Sequence, residues 1–131
     1  IRGDDDSIRI GPRTSILENC VVEAPTGLPV SIGKDSIISH GAIIHGARIG
    51  DNVMVGIGAI VLDGARIGDG SIIGSGALVP PNKVITPGSL AMGFPAKVER
   101  DVREREKANV VKERNRLLEK AAEYRIIYEE A

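Results

Sequence analysis

The chain has 131 residues, of which 17 are Lys or Arg and 18 are Asp or Glu, so its formal net charge at pH 7 is −1. The basic residues are interleaved with acidic ones and form no block, which argues against nucleic acid or an anionic membrane as a partner. The sequence shows neither an apolar run of roughly 18 residues nor a charged-then-apolar leader, so we expect no membrane span, no signal peptide and a cytoplasmic location.

An internal repeat of about 18 residues runs through the first part of the chain. The hexapeptide GARIGD occurs at 46–51 and again, 18 residues later, at 64–69. The Ile-Gly pair inside it recurs with spacings of 22, 17 and 18, beginning at 10–11. The longer first spacing contains the turn-like segment 25–28. With 16 Gly and only 2% aromatic residues, the composition also favours a narrow, regular interior filled by aliphatic side chains.

Within each repeat an aliphatic residue returns about every six positions: Ile10, Ile16, Val22, Ile32, Ile38, Ile44, Ile49, Val55, Val61, Ile67, Ile73 and Val79. A mostly small or β-branched residue stands two positions earlier and therefore shares the inward face, so the single Cys20 is predicted to be a small core residue. Three such strands close one triangular coil, and coils stack at roughly 4.8 Å. The sequence predicts an all-β domain over 1–98, a parallel β-helix of hexapeptide repeats, with a C-terminal helix after it.

Beyond the repeats we predict a loop and then that helix. The loop is indicated by Pro80, Pro81, Pro87, Gly88 and Pro95. Asp101 followed by Glu104 indicates an N-cap with a capping-box partner, and the predicted helical region covers 99–131. Its apolar stripe is expected to pack on the β-helix of the same or a neighbouring subunit. The stripe contains Val102, Val110, Val111, Leu117, Leu118, Ala121, Tyr124 and Ile127.

The two histidines, His40 and His45, lie in the short stretch SHGAIIHG, and the repeat register turns both away from the core. Glu23 precedes His45 by 22 residues, the spacing of the first two Ile-Gly pairs, so these side chains are predicted to stack on adjacent coils. Glu18 bears the same relation to His40. The two histidines are therefore either plain surface residues or members of a site that stacking assembles.

A stacked imidazole and carboxylate can form an ion pair, or can supply two of the three protein ligands of an open divalent-metal site. A second imidazole would complete the set. Because His40 falls on a different face of the prism from His45, it would come most easily from a neighbouring subunit in a closed trimer.

Segments 1–11 (IRGDDDSIRIG), 39–79 and 88–98 (GSLAMGFPAKV) closely resemble the γ-class carbonic anhydrases. The resemblance covers nearly the whole chain and implies a left-handed β-helix, a homotrimer and zinc at the subunit interface. It implies that His40 and His45 are metal ligands, and it places Glu23 where the family has its third histidine.

The resemblance also implies roles beside the metal. Arg2 and Asp4 match the Arg-Gly-Asp that organises the interface in the family. Asp5 and Tyr124 match an acid near the proton exit and a tyrosine that reaches toward the site, while Glu18 replaces an aspartate. The family's glutamine, which positions the metal-bound solvent, is Leu17 here, and Leu17 cannot do this. We therefore expect Asp5, Glu18 and Tyr124 as catalytic candidates in an altered site.

Three functions follow from these observations. As a lyase or hydrolase, the protein would use zinc, or alternatively iron or cobalt, to generate hydroxide that attacks carbon dioxide or an ester-like carbonyl. A carboxylate ligand such as Glu23 should make the bound water less acidic and slow hydration. The first alternative is a non-catalytic trimeric scaffold or binding protein. The second is a hexapeptide acyltransferase, which the paired histidines and the lack of a long protruding loop disfavour.

Overall fold

Fourteen short strands wind into a left-handed parallel β-helix of about five coils, and a fifteenth returns antiparallel, in the computed structural model, which describes residues 1–130. Each coil takes about 18 residues, and each of the first four contributes one strand to each of three faces. A single helix, α1 (Glu104–Glu130), follows the β-helix. The predicted fold is confirmed, and residue 131 of the predicted helical region lies outside the described residues.

The three faces are defined by their strands. The first face contains β1 (Ile8–Ile10), β4 (Val30–Ile32), β7 (Arg48–Ile49), β10 (Arg66–Ile67) and β13 (Val84–Ile85). The second face contains β2 (Ser15–Ile16), β5 (Ile37–Ile38), β8 (Met54–Val55), β11 (Ile72–Ile73), β14 (Ser89–Gly93) and β15 (Ala96–Asp101). The third face contains β3 (Val21–Glu23), β6 (Ile43–His45), β9 (Ile60–Val61) and β12 (Leu78–Val79).

The core is the stack of inward aliphatic side chains that the six-residue step predicts. From Val22 to Val79 the predicted inward aliphatics are all buried, and strand register places each one above its counterpart in the preceding coil. Ile10 is exposed because the first coil has a neighbour on one side only. Cys20 is half-buried against this core, its thiol contacts the Ser39 carbonyl oxygen at 2.9 Å, and burial raises its pKa.

The coils approach so closely that some corner positions leave no room for a side chain. A Cβ added to Gly33 would lie 2.6 Å from the carbonyl carbon of Gly50 in the next coil, well inside van der Waals contact. Other corners need a residue that adopts a left-handed backbone conformation, such as Asn52 with φ of 54°. Glycine and asparagine at these corners therefore let the strands stack at pairing distance.

The prediction of a loop after residue 79 is wrong. Ile85 continues the column of Ile67, and β14 pairs in parallel with β11 before it turns back antiparallel to β15. Pro80, Pro81 and Pro87 lie between strands, and Pro95 lies in the turn that joins β14 to β15. None of these prolines therefore interrupts the hydrogen bonds between strands. This segment is a fifth coil ended by a hairpin, and the β-structure extends to Asp101.

The helix begins later than predicted, because Asp101 is the last residue of β15 and not the N-cap. The backbone N–H of Arg103 donates to the Glu106 carboxylate at 2.9 Å, and Lys107 N–H donates to the Arg103 carbonyl at 3.0 Å. The Arg100 guanidinium donates two hydrogen bonds to the same carboxylate, at 2.7 and 3.1 Å. Glu106 therefore supplies one half of a capping box, by accepting from the Arg103 N–H, and ties the helix start to the hairpin.

The helix runs back along the second face of its own subunit. Val102 is buried, Leu117 is half-buried and Arg114 donates to the Asn52 side chain at 3.1 Å. The end of the predicted stripe, including Tyr124 and Ile127, is exposed. A 27-residue helix is about 40 Å long, whereas five coils rise about 24 Å, so α1 is longer than the stack. No helix in residues 1–130 combines the length and apolar character that crossing a membrane requires.

We predict that Glu106→Gln weakens the fold in a pH-dependent way. Hydrogen bonds from Arg100 and from the Arg103 backbone lower the pKa of Glu106 from its ordinary 4.5 to about 2. The carboxylate therefore stabilises the folded state fully above about pH 4.5, and this contribution is lost as the pH falls toward 2. Urea midpoints of wild type and variant should differ at pH 7 and converge in acid.

Glu104→Gln is the control for that comparison. Glu104 is exposed and pairs only with Lys107 one turn along the helix, so its removal should change the urea midpoint little at any pH. If the difference in urea midpoint between wild type and Glu106→Gln stays constant from pH 7 to pH 2, the role assigned to the Arg100 contact is wrong.

We also predict that Ile67→Ala lowers the free energy of unfolding by about 2–5 kcal/mol, because it opens a cavity in the buried column. Arg66→Ala changes the adjacent residue of the same strand, whose side chain is exposed, and should cost less than about 0.5 kcal/mol. Urea denaturation of both variants checks this. Equal losses would show that the alternation of inward and outward residues is misassigned in β10.

Candidate functional site

His45 ends β6 at the corner between the third and first faces, and its neighbours in adjacent coils are acidic. Glu23 is its partner in the parallel pairing of β3 with β6, as the 22-residue offset predicts. Arg2 pairs with Glu23 through an isolated parallel bridge. Asp63, 18 residues after His45, reaches it from the following coil. One corner of the prism therefore carries a column of Arg2, Glu23, His45 and Asp63.

Both ring nitrogens of His45 face carboxylates. Nε2 lies 3.4 Å from Glu23 Oε2, and Nδ1 makes a close contact with Asp63 Oδ1. A neutral imidazole has one N–H and can donate to only one of these carboxylates. The other carboxylate then faces a nitrogen lone pair, which is repulsive unless a proton or a metal ion lies between them. A cation placed between Nε2 and Glu23 would remove this repulsion.

Glu23 is shared between His45 and Arg2. Arg2 Nη1 donates to Glu23 Oε1 at 3.1 Å, while Arg2 Nε donates to Asp4 at 3.0 Å. The hydrogen bond and charge of Asp4, together with the charges of Glu23 and Asp5, raise the pKa of Arg2. Carboxylates therefore outnumber the guanidinium at this corner, with Asp4, Asp5, Glu23 and Asp63 all close to Arg2 or His45.

His40 lies at the other edge of the third face, in the turn between β5 and β6. Its Nε2 lies 3.0 Å from Glu18 Oε2, so the second predicted stack is also present. His40, Glu18, Leu17 and Tyr124 line one groove of about 520 Å³ between α1 and β2. The structure thus brings the catalytic candidates Glu18 and Tyr124 together beside His40, at the opposite corner from His45.

The charges around His40 include one from the helix. Glu113 on α1 has a lowered pKa, mainly because Arg116 donates hydrogen bonds to it and with a smaller contribution from His40. Asp5 is exposed and lies close enough to Arg2, at the His45 corner, for its charge to raise the pKa of Arg2. Among the described side chains of one subunit, residues 1–129, no three His, Cys, Asp or Glu converge as a metal-ligand set.

Asp63 is the site residue that sequence reasoning missed. Strand register alone does not predict it, because β6 pairs with β9 at an offset of 17 residues, which places Leu62 opposite His45 and Asp63 one position further along. A weaker signal was present, since a search for acidic residues within one position of each histidine's counterpart finds Asp63. The same step from His40 reaches Ile57, which has no acidic neighbour in sequence, so only the His45 corner has carboxylates in the coils before and after it.

The chain is similar to hexapeptide-repeat proteins and to carbonic anhydrases. Residues 46–81 match the family described as bacterial transferase hexapeptide (six repeats). The probable carbonic anhydrase of Methanocaldococcus jannaschii is 55% identical over 106 residues, which cover 81% of this chain and 67% of that protein. The carbonic anhydrase of Geobacillus kaustophilus is 37% identical over 130 residues, covering 99% of this chain and 71% of that one.

A solved structure has the same fold as this chain. The hexapeptide transferase family protein of Anaplasma phagocytophilum superposes with a TM-score of 0.88 at 34% identity, covering 93% of this chain and 72% of that one. The chain spans about two thirds of the length of the curated relatives it matches. These similarities extend across the β-helix, and this chain belongs to the γ-class carbonic anhydrase-like family of hexapeptide-repeat proteins.

Proposed function

We propose that this protein is a γ-carbonic anhydrase-like metalloprotein that hydrates carbon dioxide to bicarbonate at a site shared between subunits of a homotrimer. The observation that carries the proposal is His45, held between the carboxylates of Glu23 and Asp63. The metal ligands are His45 and Glu23 of one subunit and His40 of its neighbour. Carbonic anhydrases among the relatives support the reaction.

The donor set fits a divalent metal. A neutral His45 that donates from Nδ1 to Asp63 has its Nε2 lone pair directed toward Glu23. Two imidazoles and one carboxylate suit zinc, and also iron or cobalt. A metal held there would supply Lewis acidity that lowers the pKa of a coordinated water, less strongly with a carboxylate ligand than with a third imidazole.

The third face supports assembly into a homotrimer. Its outward side chains form an aliphatic ladder of Val21, Ile43, Ile60 and Leu78, in register across four coils. Helix α1 covers the second face and leaves this ladder uncovered, with Val21 47% exposed. His45 and His40 stand at opposite edges of the same face. When subunits pack through these ladders around a threefold axis, the His45 corner of one subunit lies next to the His40 corner of its neighbour.

The remaining candidates act around this shared site. Arg2 and Asp4 hold Glu23 in place and line the subunit contact. The Glu18 carboxylate beside His40 accepts a proton, the Tyr124 hydroxyl orients the substrate in the groove, and exposed Asp5 passes protons to solvent. Leu17 offers no polar atom to hold a water, so hydration is slower than in relatives with a glutamine at this position.

A non-catalytic trimeric scaffold is the second candidate, and one contact favours it. Glu23 Oε1 already accepts from Arg2 at 3.1 Å, so the column is partly neutralised without a metal. If His45 carries a second proton, the ion pairs are complete and the corner serves only to hold subunits together.

We predict near-stoichiometric metal in wild-type protein purified without added metal, and its loss in both His45→Ala and His40→Ala. Refolding the two variants together should restore binding, because every mixed trimer then contains one intact pairing of His45 with a neighbour's His40. Each variant refolded alone is the matched control. Metal content by elemental analysis, followed by carbon dioxide hydration on the metal found, checks this.

Two results would count against the proposal. A metal that survives in His40→Ala would rule out the shared ligand set. An intact wild-type trimer without metal would leave the scaffold as the function of this protein.

We further predict that Glu23→His raises carbon dioxide hydration per bound metal near neutral pH, by about tenfold for a fall of about one unit in the pKa of the coordinated water. A neutral imidazole cancels less of the cation's charge than a carboxylate does, so the coordinated water stays more acidic. The comparison uses kcat/KM of wild type and variant at equal metal occupancy. A variant that is fully loaded but no faster would show that Glu23 is not what limits the rate.

A further inference from the structure

We propose that Asp63 is a positioning residue for His45: its carboxylate holds the ring proton on Nδ1 and keeps the Nε2 lone pair aimed at Glu23. The inference rests on the proposed function, because Nε2 is the atom that His45 offers to the metal. Asp63 acts through His45 and is not itself a ligand, since it lies on the opposite nitrogen of the ring.

The local fold delivers Asp63 to this position. It stands in the turn after β9, one coil beyond His45, and its backbone carbonyl accepts from Asn82 N–H at 2.9 Å, so the turn is tied to the next coil. Gly46, directly after His45, leaves room for the carboxylate. A Cβ at this position would lie 2.9 Å from Asp63 Oδ1 and 3.2 Å from Leu28 Cβ. Asp63 therefore occupies a space that the chain keeps open.

Asp63 differs from the other acids at the turns of the β-helix. Asp51 accepts from Lys34 N–H at 2.9 Å and Asp69 accepts from Asp51 N–H at 2.8 Å, so both stabilise the backbone between coils. Asp35 instead binds Arg13 through two hydrogen bonds. The carboxylate of Asp63 is directed to an imidazole, where it selects a tautomer and adds nothing to the backbone ladder.

The tautomer decides whether His45 can bind a metal. A neutral histidine that carries its proton on Nε2 has no lone pair there, and a ring free to rotate loses entropy when it binds. A carboxylate on the far nitrogen removes both obstacles, and such partners typically change metal affinity by about 10–100-fold. We therefore expect Asp63 to set both the orientation and the metal affinity of His45.

The experiment compares Asp63→Ala and Asp63→Asn with Asp69→Asn, a turn acid that caps backbone and touches no histidine. The first readout is the ¹⁵N chemical shifts of the neutral His45 ring in metal-free protein. We expect the proton on Nδ1 in wild type and in Asp69→Asn. In Asp63→Ala it should move to Nε2, and Asp63→Asn, which keeps the shape of the side chain, should give a mixture.

The second readout is the Zn²⁺ dissociation constant, measured by competition with a chromophoric chelator. It should rise about 10–100-fold in Asp63→Ala, less in Asp63→Asn, and stay unchanged in Asp69→Asn. A wild-type proton on Nε2, or shifts that the substitutions leave unchanged, would overturn the positioning role. Altered shifts with unchanged Zn²⁺ affinity would overturn its importance for the metal.

The two proposals fail in different ways. If wild type carries the proton on Nδ1 and loses it in Asp63→Ala, yet binds no Zn²⁺, the metal site is wrong and the contact between Asp63 and His45 stands. If wild type binds Zn²⁺ and Asp63→Ala binds it equally well, the metal site stands and Asp63 is only a neighbour of His45.

Discussion

Backbone pairing between successive coils is the constraint on which the rest of this structure depends. Each strand of two or three residues can pair only with the strand one coil away, so residues about 18 apart must lie roughly 4.8 Å apart. Because of this spacing, equivalent residues of successive repeats stack as columns of side chains. Inward columns exclude water with aliphatic side chains, and corner columns must use glycine or left-handed residues where the coils come closest.

The candidate site is one of these columns with charged members. Arg2, Glu23, His45 and Asp63 occupy successive coils at one corner, so their contacts come from the stacking and need no separate loop. The same stacking brings Glu18 to His40 at the opposite edge of the third face. Because a rigid prism holds the two histidine corners apart, a shared metal requires a second copy of the chain. The aliphatic ladder between the corners is a surface suited to receive it.

Much of this arrangement was predictable because the period is a local property of the sequence. The hexapeptide step identifies the inward residues, and adding one coil length is enough to place Glu23 on His45 and Glu18 on His40. The proposed departures from the family, Glu23 and Leu17, rest on the sequence and on the alignment that the resemblance implies. Asp63 does not follow from this rule, because one coil forward from His45 lies Leu62, and Asp63 reaches His45 from the turn one residue later.

The tertiary structure decided what periodicity does not encode. Whether Glu23 turns to Arg2 as well as to His45 depends on side-chain conformation, which strand spacing leaves free. The return strand β15 pairs antiparallel with β14 and so has no 18-residue signature, and the prolines of the fifth coil and its hairpin imitate a loop. The helix starts at Glu104 because Arg100 and Glu106 meet across the hairpin end, a contact absent from any local pattern. The sequence by itself determined the columns, and only the tertiary structure decided which atoms within and between them touch, because contacts depend on rotamers and on the path of each turn.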